Sequence, residues 1–138
     1  MEIKIRRAQD ADVKQVMALL HTTNLIDKET PYNSAEYFMQ SCRDGVFLVA
    51  TYDDKIIGMI HGEMLMGRGC VVWYFVVDEK MRGHGIGRQL FGAFETECKS
   101  RGASWLFGSS DINAKTMNFY RKNNCEFDDA YMEFCKNI

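Results

Sequence analysis

One stretch limits what this chain can fold into more than any other. The apolar run Val71-Val72-Trp73-Tyr74-Phe75-Val76-Val77 leads to the turn Arg82-Gly83-His84-Gly85-Ile86-Gly87, and an amphipathic segment from Arg88 to Lys99 follows. An unbroken run of β-branched and aromatic residues reads as a buried strand. Beyond the turn, Ile86, Leu90, Ala93, Phe94, Glu97 and Cys98 recur at helical spacing, apolar except at Glu97, and Gly102 ends the helix. A strand that passes through a glycine-rich turn into a helix start presents a row of backbone N–H groups to a phosphate. The chain is therefore expected to hold a phosphorylated ligand.

The rest of the sequence supplies the sheet around that unit. Ile3 and Ile5 alternate with charges in a first short strand, and Asp10 caps a helix with Val13, Val16, Met17 and Leu20 inward. A polar loop, Thr22 to Pro31, leads to a second helix begun by Ser34 and closed by Gly45, with Phe38 and Met39 inward. Val46 to Tyr52 and Ile56 to Met66 flank Asp53-Asp54-Lys55, the pattern of a β-hairpin, and Gly67-Arg68-Gly69 reverses the chain into the strand Cys70 to Val77. Ser104 to Ser109 forms the next strand. A helix separates it from Val77, so the two strands are expected to be parallel neighbours. A helix from Asn113 to Asn123 follows, then a strand pair, Cys125 to Phe127 and Ala130 to Cys135, across Asp128-Asp129. The order β-α-α-β-β-β-α-β-α-β-β defines an α/β fold with a mixed sheet covered by helices.

With 138 residues, 46% of them hydrophobic, the chain suits one domain spanning residues 1–138. A net charge of −2 and the lack of a long basic run argue against a nucleic-acid surface. Cys42, Cys70, Cys98, Cys125 and Cys135 are odd in number and 10 to 28 residues apart, which suggests neither a disulfide framework nor a metal site. They read as reduced thiols, and the absence of a signal-like or membrane-spanning run makes the cytoplasm the expected location. His21, His61 and His84 have no triad partners at recognisable spacing. No metal is expected.

The glycine turn matches neither a Walker loop, which needs Gly-Lys-Ser/Thr, nor Gly-x-Gly-x-x-Gly, because position 88 is arginine. Arg82, Gly85 and Gly87 instead fit Arg/Gln-x-x-Gly-x-Gly/Ala, and Asn113, Phe119-Tyr120 and Lys122 fit a second pattern of Asn, Phe-Tyr and Lys. In both, the chain resembles the GNAT superfamily of acyl-CoA-dependent N-acetyltransferases, and with the element order the resemblance covers essentially its whole length.

The resemblance implies a role for each matched position. Phe75, Val76 and Val77 would pair through their backbone with the pantetheine arm of acetyl-CoA. The pyrophosphate would rest on Arg82, Gly83, His84, Gly85, Ile86, Gly87 and Arg88. Asn113 would reach the cofactor arm, and Tyr120 would stand near the sulfur as general acid for the departing thiolate. A backbone N–H near Val76 would meet charge on the thioester oxygen.

Departures from the pattern matter too. Some family members use a Glu five residues before the Asn as general base, and here that position is Gly108. Glu63 and Asp111 are the carboxylates left to relay a proton, and His61, on the same strand as Glu63, would face the same side. Glu79 replaces a common proline, and Asn124 replaces a glycine whose left-handed conformation Asn tolerates. Cys70 and Cys125 have no neighbours that would make them nucleophiles.

The expected reaction is acetyl transfer from acetyl-CoA to a primary amine by direct attack in a ternary complex. Acidic residues at Asp27, Glu29 and Glu36 and at Glu126, Asp128, Asp129 and Glu133 suggest a small cationic acceptor, such as an aminoglycoside, a polyamine or a lysine-like amine. Acetylation of a protein N-terminus or lysine is the alternative acceptor. A non-catalytic acyl-CoA sensor is the alternative class. Homodimers occur among such proteins, but no segment here decides the matter.

Overall fold

A computed structural model describes residues 1–26 and 31–130, together with 132, 134 and 136–138. Five strands form one sheet in sequence order: β1 (Lys4–Arg7), β2 (Val46–Tyr52), β3 (Lys55–Met64), β4 (Gly69–Val77) and β5 (Trp105–Gly108). The first four are antiparallel to their neighbours, and β5 is parallel to β4 as the intervening helix requires. The β2–β3 turn needs a left-handed backbone at both central residues, and Asp53 and Asp54 adopt it with φ of 47° and 59°.

Four α-helices cover the sheet: α1 (Val13–Leu20), α2 (Ala35–Asp44), α3 (Ile86–Ser100) and α4 (Ala114–Lys122). One face packs Ile86, Leu90, Phe91, Phe94 and Cys98 of α3 on Val46, Leu48, Ile60 and Val72 of the sheet. The other packs Val13, Val16, Leu19 and Leu20 of α1 and Phe38 of α2 on Phe47, Val49, Met59 and Val76. Phe94 and Phe38 are fully buried, one in each layer, and each burial contributes about 2–3 kcal/mol. Glu97, the polar exception on the inner face of α3, pairs with Arg7 of β1 and Arg101 one turn on. It ties the helix to the sheet's far edge.

Local chemistry sets the helix boundaries. Ser34 Oγ accepts from the Tyr37 N–H at the start of α2, and Gly45 ends that helix. Asp12 is buried ahead of α1, where it accepts from the Gln9 N–H and binds Arg6 through both carboxylate oxygens at 2.7 and 2.9 Å. Those partners hold its carboxyl below the usual carboxylate range.

Four expectations need correction. Asp10 does not cap α1; it opens a 3-10 turn, Asp10–Asp12, that leads into the helix. Met39 is exposed, because α2 turns only the Phe38 side of its surface to the sheet. Phe91 is buried where the spacing had named its neighbours, since the apolar face of α3 is wide enough to meet α4 as well. Cys125 to Phe127 forms no strand; the chain leaves α4 through Asn124, whose φ of 65° is the left-handed conformation expected there. The second expected strand, Ala130 to Cys135, falls partly outside the described residues.

Candidate active site

The sheet opens between β4 and β5. Their pairing runs from Gly69↔Trp105 to Val72↔Gly108 and stops, while β4 continues to Val77 against β3 alone. A β-bulge marks the divergence: Gly62 pairs with Val72 and His61 with Tyr74, so Trp73 is the extra residue. Glycine at 62 is required, because a Cβ there would lie 1.8 Å from the Val71 carbonyl oxygen. The opened edge of β4 faces a cleft of about 1520 Å³, walled on the far side by Ser109, Asp111, Phe119 and Tyr120.

Backbone groups point alternately to the two sides of a strand. The Asp78 N–H donates to the Ile57 carbonyl of β3 at 2.8 Å, so Val76 likewise turns its backbone to β3. Phe75 and Val77 turn theirs to the cleft. The Val76 amide, near which an N–H facing the thioester was expected, therefore faces β3 and not the cleft. The side chains alternate to match, with Val76 in the core beneath α1 and α2 and Phe75 and Val77 beneath α3.

At one end of the cleft the glycine turn opens α3. Gly83 and Gly85 take φ of 83° and 76°, which side-chain-bearing residues rarely adopt, and a Cβ at either would meet open space. Gly87 is glycine for a different reason, since a Cβ there would press on the Phe119 ring at 3.3 Å. The first intrahelical bond runs from the Gln89 N–H to Gly85, which leaves the amides of Ile86, Gly87 and Arg88 for an anion. Arg82 and Arg88 flank this turn on the cleft wall, and Lys115 and Lys122 line the cleft as well. Arg82 Nε donates to the Val77 carbonyl at 3.2 Å, fixing the turn against the end of β4.

His84 lies in the turn but not on the cleft wall; its Nδ1 is 3.1 Å from the carbonyls of both Met81 and Arg82. Asn113 also stands off the wall, and its Oδ1 accepts from the Thr116 N–H at 2.8 Å to cap α4. Tyr120 is on it. Its ring meets Phe75 at 6.4 Å and Phe91 at 5.9 Å, and among the described residues its hydroxyl makes no hydrogen bond. Burial, aided by Cys125 and Asp111, pushes its pKa up to about 12 and keeps the phenol protonated.

The other half of the cleft has a different chemistry. Tyr32, Tyr37, Trp73 and Tyr74 line it with Glu63, beside Thr23, Asn24 and Leu25. Trp73 Nε1 donates to Glu63 Oε1 at 3.2 Å. His61 does share a face of β3 with Glu63, but it is buried behind the wall rather than exposed in it. Its Nε2 is hydrogen-bonded to Ser41 Oγ, and Tyr37, Phe38, Phe47 and Tyr74 enclose its ring. Burial pushes its pKa down to about 4, so the ring is neutral near pH 7 and unsuited to take a proton from an amine.

Glu36, Glu126, Asp128 and Asp129 are exposed and none lines the cleft, while Asp27, Glu29 and Glu133 lie outside the described residues. Among the described residues the carboxylates that reach the cleft are Glu63 and Asp111. A Cβ at Gly108 would stand 3.1 Å from the Val72 carbonyl oxygen, a tight contact, and no carboxylate stands at this position. Burial pushes the Cys70 and Cys125 thiols up, away from the nucleophilic thiolate. Among the described residues no cluster of His, Cys, Asp and Glu could hold a metal, and no helix is long and apolar enough to cross a membrane. The sequence left Tyr32, Tyr37 and the bulge at Trp73 without assigned positions. Only the glycine opposite the bulge hinted at the last.

Comparison with known proteins adds an independent line. An aminoglycoside acetyltransferase from an uncultured soil metagenomic sample, in complex with sisomicin, is similar at a TM-score of 0.80 and 19% identity, covering 99% of this chain and 96% of that one. PaiA N-acetyltransferase from Thermoplasma acidophilum, in complex with coenzyme A, gives 0.76 at 19% identity over 89% of each chain. A ribosomal-protein-alanine N-acetyltransferase from Brucella melitensis biovar Abortus 2308 gives 0.79 at 19% identity over 100% of both. At such identities the likeness speaks for the fold. No curated protein sequence matches significantly. The family model described as "Acetyltransferase (GNAT) family" matches residues 13–125, the span that holds both halves of the cleft, and the chain belongs to that family.

Proposed function

We propose that the protein transfers an acetyl group from acetyl-CoA to the primary amine of a small cationic molecule, by direct attack within a ternary complex. Acetyl-CoA is the cosubstrate of this acetyltransferase. The observation that carries the reading is the division of one cleft into a half of backbone amides and cations and a half of aromatic rings around Glu63. The first suits the phosphates of CoA and the second an ammonium.

In this reading the pyrophosphate rests on the amides of Gly83 to Arg88, with Arg82 and Arg88 beside it. The pantetheine arm lies along the free edge of β4 and pairs with the backbone of Phe75 and Val77. The acceptor enters as an ammonium and gives one proton to Glu63, directly or through water. Its nitrogen then attacks the thioester carbon, and an outward N–H of β4 meets the charge that develops on the oxygen. Collapse breaks the carbon–sulfur bond. Tyr120 gives its proton to the departing thiolate and is restored, through water, by the second proton of the nitrogen as it becomes an amide; Glu63 releases its proton to solvent, and the products are an N-acetyl amine and CoA thiol.

Thiol release from acetyl-CoA, followed with alkylamines, polyamines, aminoglycosides and peptides bearing a free N-terminus or lysine, tests the reading. Stimulated release with a small amine supports it, and preference for the peptides moves the acceptor to a polypeptide. If no amine raises release above hydrolysis while acetyl-CoA still raises the Tm, the chain is a sensor rather than a transferase.

A further inference from the structure

Glu63 meets the cleft with one of its oxygens already engaged. We infer that Trp73 is a positioning residue for Glu63: the bulge in β4 aims its indole N–H at one carboxylate oxygen and leaves the other to receive the proton of the acceptor amine. The inference rests on the transferase reading above and deepens it. Val72 packs in the α3 layer and Tyr74 against the α1–α2 layer, although residues so spaced in a regular strand would share a face. The extra residue between them is Trp73. It is half exposed on the cleft wall, and its Nε1 donates to Glu63 Oε1 at 3.2 Å.

The donor suits the task. An indole N–H donates and cannot accept, so it holds a carboxylate without competing for the proton. A bond to an ionised oxygen is stronger than one between neutral groups, and here it restrains a flexible side chain. A base held in one place takes its proton over a shorter and better-aligned path. Tyr37, also on the wall, keeps its own proton: burial, and after it the charge of Glu63, pushes its pKa up to about 12. His61, on the same face of β3 as Glu63, is buried and neutral. The bulge itself depends on Gly62, where a Cβ would lie 1.8 Å from the Val71 carbonyl oxygen, so Trp73 owes its aim to the backbone beside Glu63.

A double-mutant cycle on the whole chain tests this, with acetyl-CoA and the most active of the amines named above. Trp73→Phe keeps a ring at the bulge and loses the N–H. It should lower kcat about tenfold, with the acetyl-CoA KM and the Tm hardly moved. In a Glu63→Gln background the same change should cost less than about twofold, because the base that it positions is gone. If Trp73→Phe stays within about twofold of wild type while Glu63→Gln is impaired, or falls equally in both backgrounds, the inference is overturned and the base stands. If Glu63→Gln turns over as fast as wild type, or no amine is acetylated, the base or the transferase reading fails first and the positioning role fails with it. A second readout needs no turnover. With Trp105→Phe, Trp73 is the sole tryptophan, and its indole N–H resonance should move on adding Glu63→Leu and exchange with water about tenfold faster. A resonance that neither moves nor exchanges faster shows that the bond is not made, and it overturns the inference whatever the kinetics.

Discussion

Gly62 approaches Val71 so closely that a methyl group on its Cα would stand 1.8 Å from the Val71 carbonyl oxygen and 2.8 Å from the Phe94 ring. Neither neighbour can retreat, one being strand backbone and the other a fully buried side chain of α3. Gly62→Ala should destabilise the protein by about 2–3 kcal/mol, read as a lower urea midpoint, and should raise the KM of both substrates as β4 shifts. Gly92 is the counterpart within α3. Nothing lies within 4 Å of a Cβ there, so Gly92→Ala should stabilise by about 0.5–1 kcal/mol without touching activity. Equal effects of the two changes would mean that the bulge does not depend on the missing side chain.

His61 gives the fold an acid-sensitive point. Its pKa is pushed down to about 4 from the ordinary 6.5, so between those values the unfolded chain binds a proton that the folded one refuses. Stability from this group is complete above pH 6.5 and declines as the pH falls towards 4, by about 3 kcal/mol in total. Urea midpoints measured from pH 7 to pH 4.5 should show that slope, and His61→Gln, which retains a polar partner for Ser41, should flatten it. A variant as steep as the wild type would assign the slope to other groups.

Tyr120→Phe separates proton donation from packing. The ring stays against Phe75, Phe91 and Phe119, and the hydroxyl has no hydrogen bond to lose among the described residues, so the Tm and the acetyl-CoA KM should hardly move. A fall of about a hundredfold in kcat is expected if the phenol protonates the thiolate. Because burial holds its pKa at about 12, Tyr120 should contribute no alkaline decline in kcat across the working range. A Phe variant within threefold of wild type would leave the thiolate to solvent.

The glycines of the phosphate turn should behave differently from one another. Gly85→Ala forces a side-chain-bearing residue to a φ of 76° at the start of α3, with a cost of about 1 kcal/mol, and should weaken acetyl-CoA binding at least tenfold as the amides turn away. Gly87→Ala meets the Phe119 ring at 3.3 Å instead, and through it the neighbouring Tyr120. It should lower kcat more than it raises the acetyl-CoA KM. Identical kinetic profiles would show that the turn responds as one unit.

What the sequence revealed and what it hid have different physical origins. The strand, glycine turn and α3 were legible because buried runs, left-handed glycines and helical spacing are local properties. The same holds for the Asp53-Asp54 hairpin, the Ser34 cap and the left-handed Asn124. In the acceptor half Glu63 was legible from its strand beside β4, whereas Tyr32, Tyr37 and the bulge at Trp73 were not, because they come from different segments that meet only through the sheet. Surface acids at Glu36 and Asp128 count toward a cationic acceptor by charge alone, and the fold leaves both outside the cleft. His61 was legible in part: alternation gave its side of β3, while the depth of its burial depends on α2 lying across that side. The backbone facing at Val76 depended on register, which a strand's own residues do not encode.

The free edge of β4 also sets a pattern that can be timed. The amides of Val76 and Asp78 are locked against β3, while those of Phe75 and Val77 lie open to water, so neighbouring residues of a single strand should exchange hydrogen for deuterium on widely separated timescales. A resident pantetheine arm would slow the fast pair and leave the slow pair untouched. Two backbone amides would then report occupancy of the cleft residue by residue, without turnover and without any knowledge of the acceptor.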